Sequence, residues 1–222
     1  MTPLVVVLSA PSGAGKTTIA HRLISVRKDV GVSVSATTRP ARRGEKDGRA
    51  YYFMPREKFE RLRERGDFLE CAQYAGAWYG TLKSEVKRIH DAGRHVLLDI
   101  EIEGARAIRR AYPPPQSVSI FVLPPSPRAL IQRLKRRRSE SADSLSLRLR
   151  RAVEELRAAT EYDYIIVNRR LPKAVSEVGR IIDVEASRTA RRVDLHEQLK
   201  RLSEALETQA KSLVRKTTNE VQ

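Results

Sequence analysis

The segment Ala10-Pro11-Ser12-Gly13-Ala14-Gly15-Lys16-Thr17 holds the residue types that grip a polyphosphate. In a glycine-rich turn that opens a helix, the backbone N–H groups point at one place. A lysine completes the cage around β- and γ-phosphates, and a hydroxyl reaches Mg²⁺. Gly13, Gly15, Lys16 and Thr17 supply these parts. The full pattern has glycine at its first position, where this chain has Ala10, the smallest side chain that can stand in. The expected ligand is ATP. Motors, GTPases, transporters and small kinases share such a loop, so the acceptor of any transferred phosphate has to be read from other residues.

The next stretch supplies candidates. Ser35-Ala36-Thr37-Thr38-Arg39-Pro40-Ala41-Arg42-Arg43-Gly44-Glu45 sets Arg39 and Arg42 three residues apart, and Gly48-Arg49-Ala50-Tyr51-Tyr52-Phe53 follows with tyrosines. Phe68-Leu69-Glu70 and Trp78-Tyr79-Gly80-Thr81 come next. From about Leu4 to Ala186 the chain resembles guanylate kinase, the family that phosphorylates GMP with ATP. Ser-x-Thr-Thr-Arg-x-x-Arg-x-Gly-Glu, Tyr-Gly-Thr and Leu-Asp-Ile carry the likeness most specifically.

The resemblance implies that Arg39, Arg42, Tyr51 and Tyr79 hold the GMP phosphate, while Ser35, Glu70 and Thr81 read guanine. The chemistry of these residue types agrees. A phosphate dianion suits guanidiniums and phenol hydroxyls. Guanine offers adjacent N1–H and N2–H donors that one carboxylate accepts together, whereas adenine leaves that carboxylate unpaired. Singly, each residue also fits an ordinary solvated or core position; the argument lies in their joint order and spacing.

By the same resemblance the donor nucleotide lies along Ala10 to Thr18, with Lys16, Thr17 and Thr18 at the start of a helix and Asn168 in the turn on the adenine side. The family has Asp after that asparagine, and this chain has Arg169. Arg128, Arg133, Lys135, Arg136, Arg137 and Arg138 form a basic cluster, with Arg148-Leu149-Arg150-Arg151 following after a Ser-rich stretch. A nucleotide kinase needs a lid that brings arginines onto the moving phosphoryl group and excludes water. The family likeness makes Arg137 and Arg148 those arginines, catalytic together with Lys16 and Arg39, although Arg138 stands where the family has glycine.

Asp99 and Glu101 end a strand at its carboxyl end, where ligands sit in open α/β sheets. The family has Asp at both positions; Asp99 is expected on the metal side, and the longer Glu101 toward metal or guanine. His21, His90, His95 and His196 show no metal-ligand spacing. The metal implied is Mg²⁺, held chiefly by ATP phosphates with Thr17 and Asp99.

These residues need a scaffold. Leu4-Val5-Val6-Val7-Leu8 is the continuous β-branched run of a strand buried on both faces, and Ile19, Leu23 and Ile24 recur at helical spacing directly after the glycine loop. Further strands are expected at 32–35, 50–53, 68–74, 94–100, 118–123 and 164–167, with helices at 55–65, 84–92, 103–111, 127–138, 144–160 and 171–186. Alternation predicts an α/β fold, a parallel sheet core with helices on both faces, and the resemblance implies the phosphate-loop nucleoside monophosphate kinase type. The stretch 35–82 breaks the rhythm and reads as an inserted mixed α/β lobe, to which the resemblance assigns the binding of GMP. The expected division of a kinase domain at 1–186 is a core of 1–34, 83–125 and 150–186, the lobe at 35–82 and a helical lid at 126–149. A charged helical tail occupies 187–222. There Leu195, Leu199, Leu202, Leu206 and Leu213 fall 4, 3, 4 and 7 residues apart, a heptad-like stripe suited to self-association.

The 222 residues suffice for a sizeable core. Lys and Arg number 43 against 27 Asp and Glu, a net charge of +16 that suits a polyanion, a membrane surface or a phosphorylated small substrate. Because the basic residues run along the whole chain, charge alone decides little; the phosphate loop and the resemblance imply ATP and GMP as partners, with a homo-oligomer possible and neither nucleic acid nor membrane expected. The lone Cys71 and the absence of a basic start with a cleavage pattern point to the reducing cytoplasm. Two rival readings are a phosphopeptide-binding module on the same fold, disfavoured by Lys16 and the lid arginines, and a ribose-phosphate kinase, in which Glu70, Ser35 and Thr81 would have no base to read.

Overall fold

The run Val5–Ser9 forms strand β1, and all of its residues are buried. In this computed structural model, which describes residues 2–74, 76–136 and 142–219, β1 is the middle strand of a sheet whose other members are β2 (Val30–Val32), β7 (His95–Asp99), β8 (Ser117–Leu123) and β9 (Tyr164–Val167). Between them lie α1 (Lys16–Val26), β3 (Ala36–Thr37), β4 (Tyr52–Phe53), α2 (Arg56–Glu64), β5 (Phe68–Tyr74), β6 (Ala77–Leu82), α3 (Lys83–Asp91) and α4 (Ile102–Ala111). Beyond β8 come α5 (Pro127–Arg136) and α6 (Ala142–Arg157), and beyond β9 come α7 (Leu171–Ala186) and α8 (Leu195–Asn219). The strand order β2-β7-β1-β8-β9 is parallel throughout.

The period of two along a strand divides β1 between two cores. Leu4, Val6 and Leu8 pack with Ile19 and Leu23 of α1 and Val178 and Ile182 of α7. Val5 and Val7 pack with Val86 and Ile89 of α3 and Ala105 and Ile108 of α4. Helices on both faces explain why β1 carries no polar alternation. The register pairs Leu8 with Asp99, so the carboxyl ends of β1 and β7 finish together.

A second sheet, ordered β4-β3-β6-β5, pairs β3 with β4 in parallel and its other neighbours antiparallel. Its own core is aromatic. Phe59 of α2 is fully buried and stacks on Phe68 at 4.4 Å and on Trp78 at 6.0 Å between ring centres. Glu85 of α3 ties this lobe to the main sheet. It accepts from the Val34 N–H (3.3 Å), the Tyr52 hydroxyl (3.1 Å) and the Arg88 guanidinium (2.9 and 3.0 Å). Both passages of the chain between the two sheets are thereby held at one carboxylate.

Helices α5 and α6 share a third small core, Leu130, Leu134 and Ala152 with Leu145 and Leu149 against them. After α7 the chain does not leave the body at once. Arg191 is 4% exposed and donates to the Thr2 carbonyl (2.7 Å) and to the Pro115 carbonyl. Beyond it, Leu199, Leu202 and Leu206 of α8 are exposed, and Arg201–Glu197 and Lys200–Glu204 ion pairs lie within the helix. Among the described residues no helix is long and apolar enough to cross a membrane.

Most expected elements form, with ends shifted by a few residues. β2 ends at Val32, so 33–35 is the passage into the lobe, and the expected strand at 50–53 is short. β6 was not expected as a strand; its Tyr-Gly-Thr is chemically distinctive, but Gly80 interrupts the β pattern.

The buried guanidinium fixes the first prediction. Arg191→Ala leaves two carbonyls without their donor and should cost about 1–3 kcal/mol, lowering the melting temperature by roughly 2–4 °C per kcal/mol. A chain ending after Arg192 should keep the native midpoint, as thermal unfolding checks.

Candidate active site

The glycines of the phosphate loop are there for their backbone. Gly13 and Gly15 have φ of 87° and 96°, in the region that side-chain-bearing residues rarely adopt. Gly15 is doubly constrained, since a Cβ there would lie 2.6 Å from Asn168 Nδ2. The loop is gripped from several elements. The Asn168 amide donates to the Ala14 carbonyl at 2.9 Å, and Arg133 of α5 donates to the carbonyls of Ala14 (3.1 Å) and Gly13 (3.4 Å). On the other side the Ser12 N–H donates to Glu155 of α6 at 3.0 Å. Ala10 packs against the core beside β1. Pro11 is buried, and Thr17 and Thr18 face solvent in the first turn of α1.

Lys16 extends to the end of the neighbouring strand. Its Nζ lies 2.8 Å from the Asp99 carboxylate and donates to the Ile100 carbonyl at 2.8 Å. Glu101 stands at the start of α4 without a side-chain capping bond. Desolvation pushes its carboxyl up to about 7, Lys16 opposing and Glu155 and Glu70 adding to the rise. Burial likewise raises Glu155 above the ordinary carboxyl range, against the pull of the Ser12 N–H and Lys16.

Across the site the lobe brings its predicted residues together. Arg39 makes a two-point pair with Glu45 (2.9 and 3.0 Å) and lies over the ring of Tyr51 at 5.3 Å. Tyr51 and Tyr79 meet edge to face at 5.8 Å. Burial, with Asp99 adding to it, lifts the Tyr51 phenol above its usual range. Arg42 is exposed and its N–H donates to Glu45 at 2.7 Å.

The base-reading candidates form a second cluster. The fully buried Thr81 donates its hydroxyl to Glu70 Oε1 at 2.6 Å. A bulge between Phe68 and Glu70 re-aims the strand just there. Burial raises the Glu70 carboxyl, and the Thr81 hydroxyl and amide draw it back. Ser35 is half-buried at the start of the lobe, its carbonyl accepting the Tyr52 N–H at 2.9 Å.

Arg148 is half-buried on α6, one face of which also carries Arg151 and Glu155. Arg137 and Arg138 lie outside the described residues. Sequence reasoning gave no task to Glu45, Arg133 or Glu155. Glu45 had a signal in its spacing after Arg39 and Arg42. Arg133 was hidden in a run of basic residues, and Glu155 contacts the loop across 143 residues of chain.

A phosphate loop on a parallel sheet, a lysine at the strand ends and a separate lobe bearing arginine, tyrosines and a fixed carboxylate define a nucleoside monophosphate kinase of the phosphate-loop class. Residues 2–185 match the family model for guanylate kinase. A guanylate kinase of Symbiobacterium thermophilum is 45% identical over 188 residues, covering 85% of this chain and 88% of the relative. One from Nitrosospira multiformis is 42% identical over 193 residues, 87% and 91% of the two chains. The crystal structure of guanylate kinase from Anaplasma phagocytophilum superposes with a TM-score of 0.73 at 34% identity, covering 90% of this chain and 94% of that one. The chain belongs to the guanylate kinase family.

Glu155 supplies the test of the loop's support. Glu155→Ala should weaken ATP binding about tenfold through loss of a charged hydrogen bond while leaving GMP binding unchanged. Glu155→Gln keeps an acceptor for the Ser12 N–H and should recover most of the loss. Calorimetric titration with each nucleotide checks it.

Proposed function

We propose that this chain transfers the γ-phosphoryl group of ATP to GMP, giving ADP and GDP, by direct in-line displacement. The observation that carries the reading is the Glu70–Thr81 pair at 2.6 Å, a carboxylate fixed in a lobe that also holds Arg39 over Tyr51. A single fixed carboxylate matches the paired donors of guanine, and guanidinium with phenols matches a monophosphate.

The acceptor needs no general base. The second pKa of a phosphate monoester is about 6, so the attacking oxygen is largely ionised at neutral pH. Catalysis is then positioning and charge neutralisation. Lys16 takes the donor phosphates and Arg39 the acceptor phosphate, with Arg148, and Arg137 beyond the described residues, closing on the moving group. The Thr17 hydroxyl and Asp99 carboxylate are hard oxygen donors that fit Mg²⁺ carried on the ATP phosphates. Bound there, the ion neutralises phosphate charge. We assign residues 35–82 to the GMP lobe, 126–149 to the lid and the rest of 1–186 to the core. A reducing cytoplasm suits the lone Cys71. The exposed Leu199, Leu202 and Leu206 support α8 as a pairing helix between copies; a chain ending after Arg192 should then form particles of fewer chains by light scattering than the full chain, and an unchanged number of chains per particle refutes the pairing.

Substrate identity is tested at Glu70. Its alanine variant loses two hydrogen bonds of about 1.5–3 kcal/mol each, so kcat/KM for GMP should fall at least about a hundredfold, and AMP should lose far less. Arg42→Ala should weaken both alike, since a phosphate carries no base information. Steady-state ADP formation with GMP and AMP decides it, and an unchanged GMP-to-AMP ratio in Glu70→Ala refutes the guanine anchor.

A further inference from the structure

Gly104 is buried in the first turn of α4, on the core side of the site. Its φ lies outside the left-handed region, so no backbone conformation calls for glycine there. In a helix glycine is also disfavoured relative to alanine, because it loses more freedom on folding. Space is the remaining reason. A Cβ at 104 would lie 2.9 Å from Glu70 Oε2 and 3.1 Å from its Cδ, with Ile100 Cβ at 3.5 Å. The carboxylate of the lobe rests against the bare backbone of the core helix.

Glu70 has little room to move elsewhere. The Thr81 hydroxyl holds Oε1 at 2.6 Å, and the bulge before Glu70 sets the direction of its strand. Across the strand pair a Cβ at Gly80 would meet the Glu70 carbonyl at 3.0 Å. We propose that Gly104 is a specificity-positioning residue: the absence of its side chain lets the Glu70 carboxylate reach from the lobe to the core and stand at the angle that accepts two guanine donors. This rests on the reading of Glu70 as the guanine anchor.

A methyl group at 104 meets the far end of a flexible side chain, not backbone. Gly104→Ala therefore displaces the carboxylate and spares the helix. Steady-state kinetics with GMP and AMP, together with thermal unfolding, are measured for Gly104→Ala, Glu70→Asp, the double variant and Glu70→Ala. Gly104→Ala should lower kcat/KM for GMP roughly tenfold to a hundredfold, the scale of a 1 Å misplacement. AMP should change far less, KM for ATP should hold, and the melting temperature should stay or rise. Glu70→Asp withdraws the carboxyl by one methylene and so makes room for the added methyl. It should therefore cost less in the Gly104→Ala background than in the native chain, the sign of direct coupling. If Gly104→Ala keeps the native GMP-to-AMP ratio while Glu70→Ala collapses it, the role of Gly104 is overturned and the anchor stands. A fall in melting temperature with equal loss toward GMP and AMP makes Gly104 merely structural and overturns it too. A ratio kept in both variants overturns the anchor, and this proposal with it.

Discussion

Lys16 reaches a carboxylate only because β7 lies directly beside β1 with its end in register. The ammonium sits 2.8 Å from Asp99, the last residue of the neighbouring strand, and 2.8 Å from the carbonyl of Ile100 just beyond it. That requirement fixes the strand order at the centre of the sheet and forces crossovers on either side. Helices must then cover both faces, and the apolar run before the loop follows from it. The Lys16 and Asp99 side chains keep 17% and 19% of their exposure. The pair is largely covered yet still reached by water, so the attraction between its charges is set against the cost of desolvating both groups. It orients the lysine without holding it so firmly that phosphates could not take over.

The acceptor side obeys a different constraint. In the proposed reaction a second anion has to approach the first, which suits ligands carried on a separately built lobe. The lobe has its own aromatic core around Phe59 and joins the main sheet at two passages, both held by the buried Glu85. Its polar groups are oriented before any substrate arrives: Glu45 holds Arg39 at two points, and Thr81 holds Glu70. Such pre-orientation lowers the entropic cost of binding.

Local chemistry made the phosphate loop, β1, α1 and the paired arginines legible in the sequence, because each depends on residues adjacent in the chain. The lobe's residues were readable as a set, since order and spacing carried them. Contacts between distant segments left no such mark. Nothing near Ser12 announces Glu155, nothing in a basic run singles out Arg133 as the residue on the loop carbonyls, and Gly104 explains itself only once Glu70 lies against it. β6 was hidden for the opposite reason: Gly80 weakens the strand pattern, yet the space beside Phe68 admits no side chain there, a Cβ falling 2.8 Å from its ring.

Charge repulsion alone would keep carboxylates away from a site for two polyanions, yet Asp99, Glu155 and Glu70 border it. Each has a fixed partner: Asp99 the lysine, Glu155 the Ser12 N–H, and Glu70 the Thr81 hydroxyl. The charges of Asp99 and Glu155 orient Lys16 and the phosphate loop. Burial raises Glu70 and Glu155, which makes the ionised form costly unless a donor meets it. In Glu70 one oxygen already has its donor, while the other rests against Gly104. A base that brings two donors relieves that cost, and one that brings none leaves it standing. With Glu70 as the proposed guanine anchor, selectivity would come from the desolvation of the carboxylate as much as from the bonds it forms, which is why a polar pocket discriminates more sharply than an apolar one of the same shape.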